Sequence, residues 1–265
     1  VRIDGDNSGG AAALAAALPL QVIDPDVHNL VSGGPDERRR FLDWLAFHVE
    51  PEYLALWRQF RRALKQRNAA LKAGGAREAL QAWDREFCEL GERVDTIREK
   101  VLAAALETLQ AHGAKLLGAD IDFRYAPGWG REQTLQEALL GHFDRDRALG
   151  TTQVGPHRAD LRLIYDDRQA RRLVSRGQQK LLASSMILAA TETAQTVLER
   201  PLVLLLDDPA AELDRTSLAR LMERVAGLGS QVIATSLEAD ELTFPATPRM
   251  FHVEQGTLRE ASARG

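Results

Sequence analysis

The segment Leu202–Asp214, LVLLLDDPAAELD, constrains the fold more than any other part of the sequence. Five apolar residues follow Pro201, and the run ends on Asp207 and Asp208. A short run rich in leucine and valine is typical of a strand that is buried on both faces of a parallel sheet. Because burial of an unpaired charge is costly, we expect both carboxylates at the carboxyl end of the strand, where open α/β sheets bind ligands.

Two adjacent acids at such an edge suit a magnesium ion and a water molecule in nucleotide hydrolysis. The alternative is that the acids cap the helix that follows the strand. This segment alone does not separate the two interpretations.

A second segment, Val174–Lys180 (VSRGQQK), precedes the long apolar-rich stretch Leu181–Leu198. Ser175 is a favourable N-cap residue, and Gly177 allows a backbone to approach a ligand closely. The free amides at a helix start also form an anion site. The order of serine-glycine loop, helix, apolar strand and paired acids resembles the signature loop, Walker B strand and D-loop of ABC-type ATPases.

This resemblance implies a role for each matching residue. Ser175–Gln179 is the signature loop and Ala211–Asp214 is the D-loop. Asp207 would hold Mg²⁺, Asp208 occupies the position of the catalytic carboxylate, and Gln21 fits the Q-loop, with an ordinary polar residue of a strand as its alternative. The residues expected to bind the ATP of a second protomer are Ser175, Arg176, Gly177, Gln178 and Asp214.

Composition limits the possible classes of protein. The chain has 265 residues, of which 45% are hydrophobic and 27% charged, and its net charge is −4. A nucleic-acid contact must therefore be a local patch rather than a property of the whole surface. The single cysteine excludes a disulfide framework and favours a reducing cytoplasm. We expect no membrane partner, because no apolar run reaches transmembrane length and no signal peptide is evident.

The phosphate-binding half of an ATP site is missing from the sequence. No G-x-x-x-x-G-K-[ST] motif occurs in it. We therefore interpret the chain as the C-terminal part of a longer protein and expect it to be inactive as an ATPase by itself.

Two helices with matching apolar seams are predicted between residues 53 and 101. Tyr53, Trp57, Phe60 and Leu64 step by threes and fours along the first helix, and Gly74–Gly75 gives a tight turn. The seam of the second helix comprises Leu80, Trp83, Phe87, Leu90, Val94, Ile97 and Val101. We predict an α/β protein: an ABC-ATPase-type head, with a mixed sheet and flanking helices, and an inserted antiparallel helical lobe. The predicted parts are 1–34, the remainder of the head with the Q-loop-like segment; 35–120, the helical lobe; and 121–265, the head with signature loop, Walker B and D-loop.

Further segments narrow the resemblance to one family. They are Pro19–Gln21 before a strand, Arg38–Asp43 (RRRFLD), Ala63–Asn68 (ALKQRN), Val154–Asp160 (VGPHRAD) and the SRGQ of the signature loop. Together they resemble the RecF family of bacterial DNA replication and repair proteins. The resemblance implies an ATP-dependent homodimer that binds single-stranded or gapped duplex DNA, assists recombinase loading and SOS induction, and works with recombination mediator proteins.

The sequence departs from the family pattern in the D-loop as well as in Walker A. Ala211 replaces the usual serine, and Pro209 follows the paired acids. Asp208 stands where many ABC ATPases carry glutamate. Since aspartate is one methylene shorter, we expect slow hydrolysis.

Five basic residues crowd the first long helix and are the candidates for DNA contact: Arg58, Arg61, Arg62, Lys65 and Arg67. Such a run is commonly a solvated face, and the resemblance favours phosphate contact without sequence preference. For His157 and Arg158 the open alternatives are phosphate contact and a salt bridge to an acid such as Asp160. Two other functions stay open for the chain: a non-enzymatic dimerisation or DNA-binding module, and an ABC transporter ATPase, which the long helical pair disfavours.

Overall fold

A three-stranded parallel sheet lies at the centre of the ATPase-like part of the chain. The computed structural model describes residues 2–3, 6–7, 10–74, 77–238 and 241–260. The strands are β3 (Leu20–Ile23), β7 (Val203–Leu206) and β8 (Gln231–Ala234), in the order β3-β7-β8. The predicted strand before the paired acids is thus confirmed as the central strand of a parallel sheet.

One face of this sheet is well buried and the other is not. Leu204 and Leu206 are 0% and 1% exposed. On the opposite face Val22 and Ile233 are 38% and 56% exposed. The expectation that β7 is buried on both faces is therefore wrong, because Val203 and Leu205 on its second face are only partly buried, whereas strands of parallel sheets are usually covered on both faces.

The helix α8 (Arg176–Leu198) is the core helix of the fold. It packs against β3 and against several other helices, and its residues from Lys180 to Ala190 are all buried. In length and composition it could cross a membrane, contrary to the sequence expectation, but 67% of its most apolar window is buried inside the protein. A helix that is apolar all round is typical of the centre of a large fold.

The predicted helical pair is confirmed. Its helices are α4 (Tyr53–Lys72) and α5 (Arg77–Leu117). Phe60 and Phe87 are both 0% exposed, and their ring centroids lie 5.2 Å apart across the seam. Gly74 has a φ of 73°, which suits glycine at this turn, while the predicted turn partner Gly75 lies outside the described residues.

The helix α5 joins the helical pair to the head. It has 41 residues and is therefore about 60 Å long. Its first part pairs with α4, and its last turns pack on α8 and on α9 (Arg215–Gly227). There the buried His112 Nε2 lies 2.7 Å from Glu192 Oε2 of α8. The predicted lobe 35–120 is consequently not a detached unit, because its longest helix also forms part of the core of the head.

A second, antiparallel sheet adjoins the helical pair. Its order is β4-β5-β6, formed by Asp122–Ala126, Asp160–Tyr165 and Arg168–Gln169. The turn residues Asp166 and Asp167 have φ values of 49° and 57°, as a tight hairpin requires. The partner strand is only two residues long and gives way to a 3₁₀ turn over Ala170–Arg172.

The other described elements connect these parts. The helical segment 135–149 is divided at His142, whose backbone ends one short helix and starts the next. The remaining bounds are β1 (Arg2–Ile3), β2 (Asp6–Asn7), α1 (Ala11–Ala17), α2 (Asn29–Ser32), α3 (Pro35–Val49), α6 (Leu135–Gly141), α7 (Phe143–Leu149), β9 (Phe251–Glu254) and β10 (Thr257–Glu260).

Candidate nucleotide site and basic surface

The paired acids lie at the carboxyl end of β7, as predicted. The Asp207 amide donates to the carbonyl of Ile23 at 2.8 Å and so continues the ladder to β3. The Thr235 hydroxyl donates to Asp207 Oδ1 at 2.7 Å and accepts from the Asp208 amide at 3.1 Å. Thr235, just beyond β8, therefore fixes both aspartates at this edge of the sheet.

The start of α8 has the predicted capping geometry. Ser175 is the N-cap, and its hydroxyl accepts from the Gln178 amide at 3.3 Å. The Gln178 side chain accepts in turn from the Ser175 amide at 2.8 Å, which completes a capping box. The Gln178 side-chain oxygen is thus engaged within its own loop, and its expected contact with ATP stays a prediction.

The signature loop packs directly on the D-loop. A Cβ atom at Gly177 would lie 3.0 Å from the carbonyl oxygen of Glu212. Arg176 Nε also forms an ion pair with Glu212 Oε1 at 2.8 Å. The close approach that glycine permits is therefore to the D-loop backbone, and the Arg176 charge is paired with a carboxylate that an incoming phosphate would have to replace.

Asp214 caps the helix that follows the strand. It is the N-cap of α9 and accepts from the Ser217 amide at 2.8 Å and from the Ser217 hydroxyl at 3.1 Å. The backbone hydrogen bond from Ser217 lowers the pKa of Asp214 below its usual value. Since Asp214 fills the capping position, Asp207 and Asp208 are not the caps of this helix, and the capping alternative for them is wrong.

Gln21 is not brought together with these acids. It is paired with Leu204 inside the sheet, two residues before the end of β3, and is only 8% exposed. It shares the buried face with Ile23 and, with Ile187 of α8, lines a cavity of about 380 Å³. Its role as a Q-loop residue stays a prediction, and Asp24 is the residue that follows β3 at the nucleotide edge.

Lys180 is a residue of this site to which the sequence patterns assign no role. It is 0% exposed, and its ammonium donates to the carbonyls of Ala211 at 2.7 Å and Asp208 at 3.3 Å. Burial lowers the pKa of this lysine, and the nearby Asp208 opposes that shift. The one signal for it in the sequence is a lysine placed directly before the apolar run of α8.

The carboxylate positions fit a magnesium ion. In Asp207 one carboxylate oxygen accepts from Thr235, and the side chain is exposed. Mg²⁺ commonly takes one or two carboxylates together with phosphate oxygens and water, so a preformed cage is unnecessary. Among the described residues no group of three or more histidine, cysteine or acidic side chains could hold a metal by itself.

The exposed face of α4 carries only positive charge. Arg58, Arg61, Arg62 and Lys65 are exposed, and none has an ion-pair partner among the described residues. The helix contains no acidic residue along its 20 positions. The opposite face is buried against α5, so the cations line the outer surface of the helical pair.

Arg67 is not part of this surface, and its prediction as a DNA contact is wrong. Its side chain is 0% exposed and forms ion pairs with Asp84 and Asp146, both at 2.7 Å. It also donates to the Thr152 hydroxyl at 2.8 Å. Position 67 faces the seam because it lies seven residues after Phe60, which places it on the buried side of the same helix.

The two alternatives for His157 are also wrong. The half-buried ring packs against Phe60 and Phe87, and its Nε2 donates to the carbonyl of Thr152 at 2.9 Å. Burial lowers its pKa to about 4, so it is neutral near pH 7. The partner of Asp160 is Arg38, at 2.7 Å.

Known proteins resemble the chain over most of its length. It is 42% identical over 263 residues to the DNA replication and repair protein RecF of Thioalkalivibrio sulfidiphilus (strain HL-EbGR7), covering 97% of this chain and 72% of the relative. It is 44% identical over 266 residues to the RecF of Stenotrophomonas maltophilia (strain R551-3), with the same coverage. The chain belongs to the RecF family. No protein-family profile matches it.

Solved structures confirm the fold expected of a RecF protein. The recombination mediator protein RecF-ATP in the RecFOR pathway has a TM-score of 0.84 at 21% identity, covering 98% of this chain and 72% of that one. The Smc head bound to the C-winged helix domain of ScpA has a TM-score of 0.50 at 14% identity, covering 91% and 54%. The α/β head with its helical pair is therefore an ATPase-head fold shared with RecF and Smc.

Proposed function

We propose that this RecF-family chain acts in DNA replication and recombinational repair as part of an ATP-dependent DNA-binding dimer. The observation that carries the proposal is the assembly of three elements at one edge of the parallel sheet: the capped start of α8, the D-loop and the paired acids Asp207 and Asp208. Relatives named for DNA replication and repair, and a solved RecF-ATP structure of the same fold, support it.

The two acids and the signature loop would serve different nucleotides. Asp207 would hold Mg²⁺, which would neutralise charge on the phosphate oxygens of the nucleotide bound to the same protomer. Asp208 would orient the attacking water. The Ser175 hydroxyl and the amides of Arg176 and Gly177 at the start of α8 would meet the γ-phosphate of the partner's ATP, because a helix start favours an anion. ATP would thereby join two protomers.

The outer face of α4 would contact the DNA backbone. From Arg58 to Lys72 the exposed cations extend over about 21 Å at 1.5 Å per residue, which equals the axial length of about six base pairs of duplex at 3.4 Å each. With Arg67 buried, the proposed contacts are Arg58, Arg61, Arg62 and Lys65. Lys72, the last residue of α4, is also exposed. Contacts of this kind bind single-stranded or gapped DNA without reading its sequence. Recombination mediator proteins would bind the resulting complex and assist recombinase loading and SOS induction.

The salt dependence of DNA binding tests this proposal. Replacing Arg58, Arg61, Arg62 and Lys65 by alanine in the full-length protein with ATP should weaken binding. For each lost contact, the slope of log K against log salt concentration should fall by about 0.7–0.9.

The matched control is Arg85→Ala, which removes an exposed arginine that is ion-paired to Glu89 on α5. It should leave the slope unchanged. If the quadruple variant keeps the wild-type slope, α4 is a solvated face and DNA binds elsewhere.

A further inference from the structure

Lys180 is a buried cation whose partners are carbonyls rather than a carboxylate. Its side chain is 0% exposed, and among the described residues no acidic oxygen lies within ion-pair distance of it. The ammonium donates to Ala211 O at 2.7 Å and to Asp208 O at 3.3 Å. Because burial of a lysine is costly, its presence here indicates that the two hydrogen bonds have a specific structural role.

The two carbonyls belong to a backbone turn that few residues adopt without support. Asp208 and Glu212 have φ values of 45° and 67°, in the left-handed region that disfavours residues other than glycine. The Ala211 amide closes the turn on Asp208 O at 3.2 Å. Such a backbone persists only where its surroundings hold it, and it is concentrated at functional sites. The Lys180 ammonium supports this turn by donating to two of its carbonyls.

The same lysine is tied to the signature loop through its own helix. It follows Ser175 by five residues, about 7.5 Å along α8. Between them, Gly177 approaches the Glu212 carbonyl and Arg176 pairs with the Glu212 carboxylate. The first two turns of α8 and the turn 208–212 are therefore joined at three positions of the helix, 176, 177 and 180.

We propose that Lys180 is a positioning residue that couples the two nucleotide sites of a protomer. It holds the backbone that aims Asp208 at the protomer's own nucleotide. It also transmits to that backbone any shift of α8 when Ser175 engages the partner's nucleotide. Lys180 touches neither nucleotide. This inference rests on the proposed function, since it assigns Ser175 and Asp208 to different ATP molecules.

Kinetics of the full-length protein separate this role from general stability. Lys180→Met keeps the length and apolar stem but removes the donor. ATP binding and ATP-dependent dimerisation should stay within about twofold of wild type, while kcat falls roughly tenfold to a hundredfold, as expected for a misplaced catalytic group. Lys180→Arg, which restores a donor, should recover part of kcat.

Thr191→Val is the matched control. It removes another buried polar group of α8, one that donates to Ile187 O at 2.8 Å and lies away from the D-loop. Its kcat should equal that of wild type. The proposal is overturned if Lys180→Met hydrolyses ATP within twofold of wild type, or if Thr191→Val loses as much activity.

Hydrogen exchange without nucleotide tests whether Lys180 holds the turn, independently of ATP chemistry. In Lys180→Met the amides of Ala211 and Leu213, which close the turn, should exchange at least about tenfold faster, while the Leu206 amide in β7 is unchanged. Lys180→Gln, which is shorter and less disruptive, provides the same comparison if the methionine variant does not fold. Wild-type protein that fails to dimerise with ATP would refute the proposed function alone, whereas unchanged exchange at Ala211 would refute the role of Lys180.

Discussion

Arg67 provides a quantitative test of the account of α4, because the sequence places it among DNA contacts and the structure places it in the core. Arg67→Met removes the guanidinium and leaves an apolar side chain about as long as the aliphatic stem of the arginine. The change removes the ion pairs to Asp84 and Asp146 and the hydrogen bond to Thr152. Among the described residues, the Asp146 carboxylate, which is 0% exposed, would then keep only its hydrogen bond from the Gln153 amide at 2.9 Å.

The expected loss of stability arises because the Asp146 carboxylate stays buried without its ion-pair partner. Removing one partner of a buried ion pair typically lowers the free energy of unfolding by about 3–5 kcal/mol. Urea unfolding measures it: with an m value of about 2–3 kcal/mol/M, the midpoint should fall by roughly 1–2.5 M. Arg62→Ala, an exposed change one turn earlier, should stay within about 0.5 kcal/mol of wild type.

A double variant identifies the mechanism. Asp146→Asn in the Arg67→Met background removes the unpaired charge, so about 1–3 kcal/mol of the loss should be recovered. Arg67→Met that unfolds within about 1 kcal/mol of wild type would refute the buried network. If Arg67→Met also weakened DNA binding, Arg67 would have to be assigned again to the DNA contacts of α4.

Two further predictions concern the core around the helical pair. Phe87 is fully buried, 5.2 Å from Phe60 in ring-centroid distance, so Phe87→Ala should lower the free energy of unfolding by about 3–5 kcal/mol; a near-wild-type urea midpoint would show that the seam is not packed. Burial lowers the pKa of His157 from 6.5 to about 4, so between these values the unfolded chain takes up a proton that the folded chain does not. The free energy of unfolding should therefore fall as pH decreases from 6.5 to 4, by roughly 3 kcal/mol from this residue, and His157→Gln should show a shallower dependence; equal slopes for both proteins would contradict the assignment.

Local chemistry explains what could be predicted from the sequence. The capping box of Ser175 depends on residues three positions apart, and the strand before Asp207 depends on a short apolar run, so both are readable in one segment. The seam of α4 and α5 follows from helical spacing alone.

Long-range partners explain what could not be predicted. Arg67 meets Asp146 and Thr152, which are 79 and 85 residues away in the chain, and no pattern near position 67 indicates them. The carbonyls bound by Lys180 lie 28 and 31 residues away and become partners only when α8 packs under the D-loop. The continuation of α5 into the head likewise depends on its packing against α8, so the periodicity of its seam predicts the helix but not its second set of neighbours.

Sedimentation of two variants of the full-length protein with ATP tests most directly the claim that Ser175 and Asp208 serve different nucleotides. Ser175→Arg should bind ATP as a monomer yet fail to dimerise, because a bulky side chain replaces a small hydroxyl at the helix start that meets the partner's nucleotide. Asp208→Asn should bind ATP and form a dimer that persists, because the shape is kept while the group that orients water is lost. Dimerisation of Ser175→Arg with ATP would contradict the signature-loop assignment, and normal dissociation of the Asp208→Asn dimer through hydrolysis would make Asp208 a structural acid.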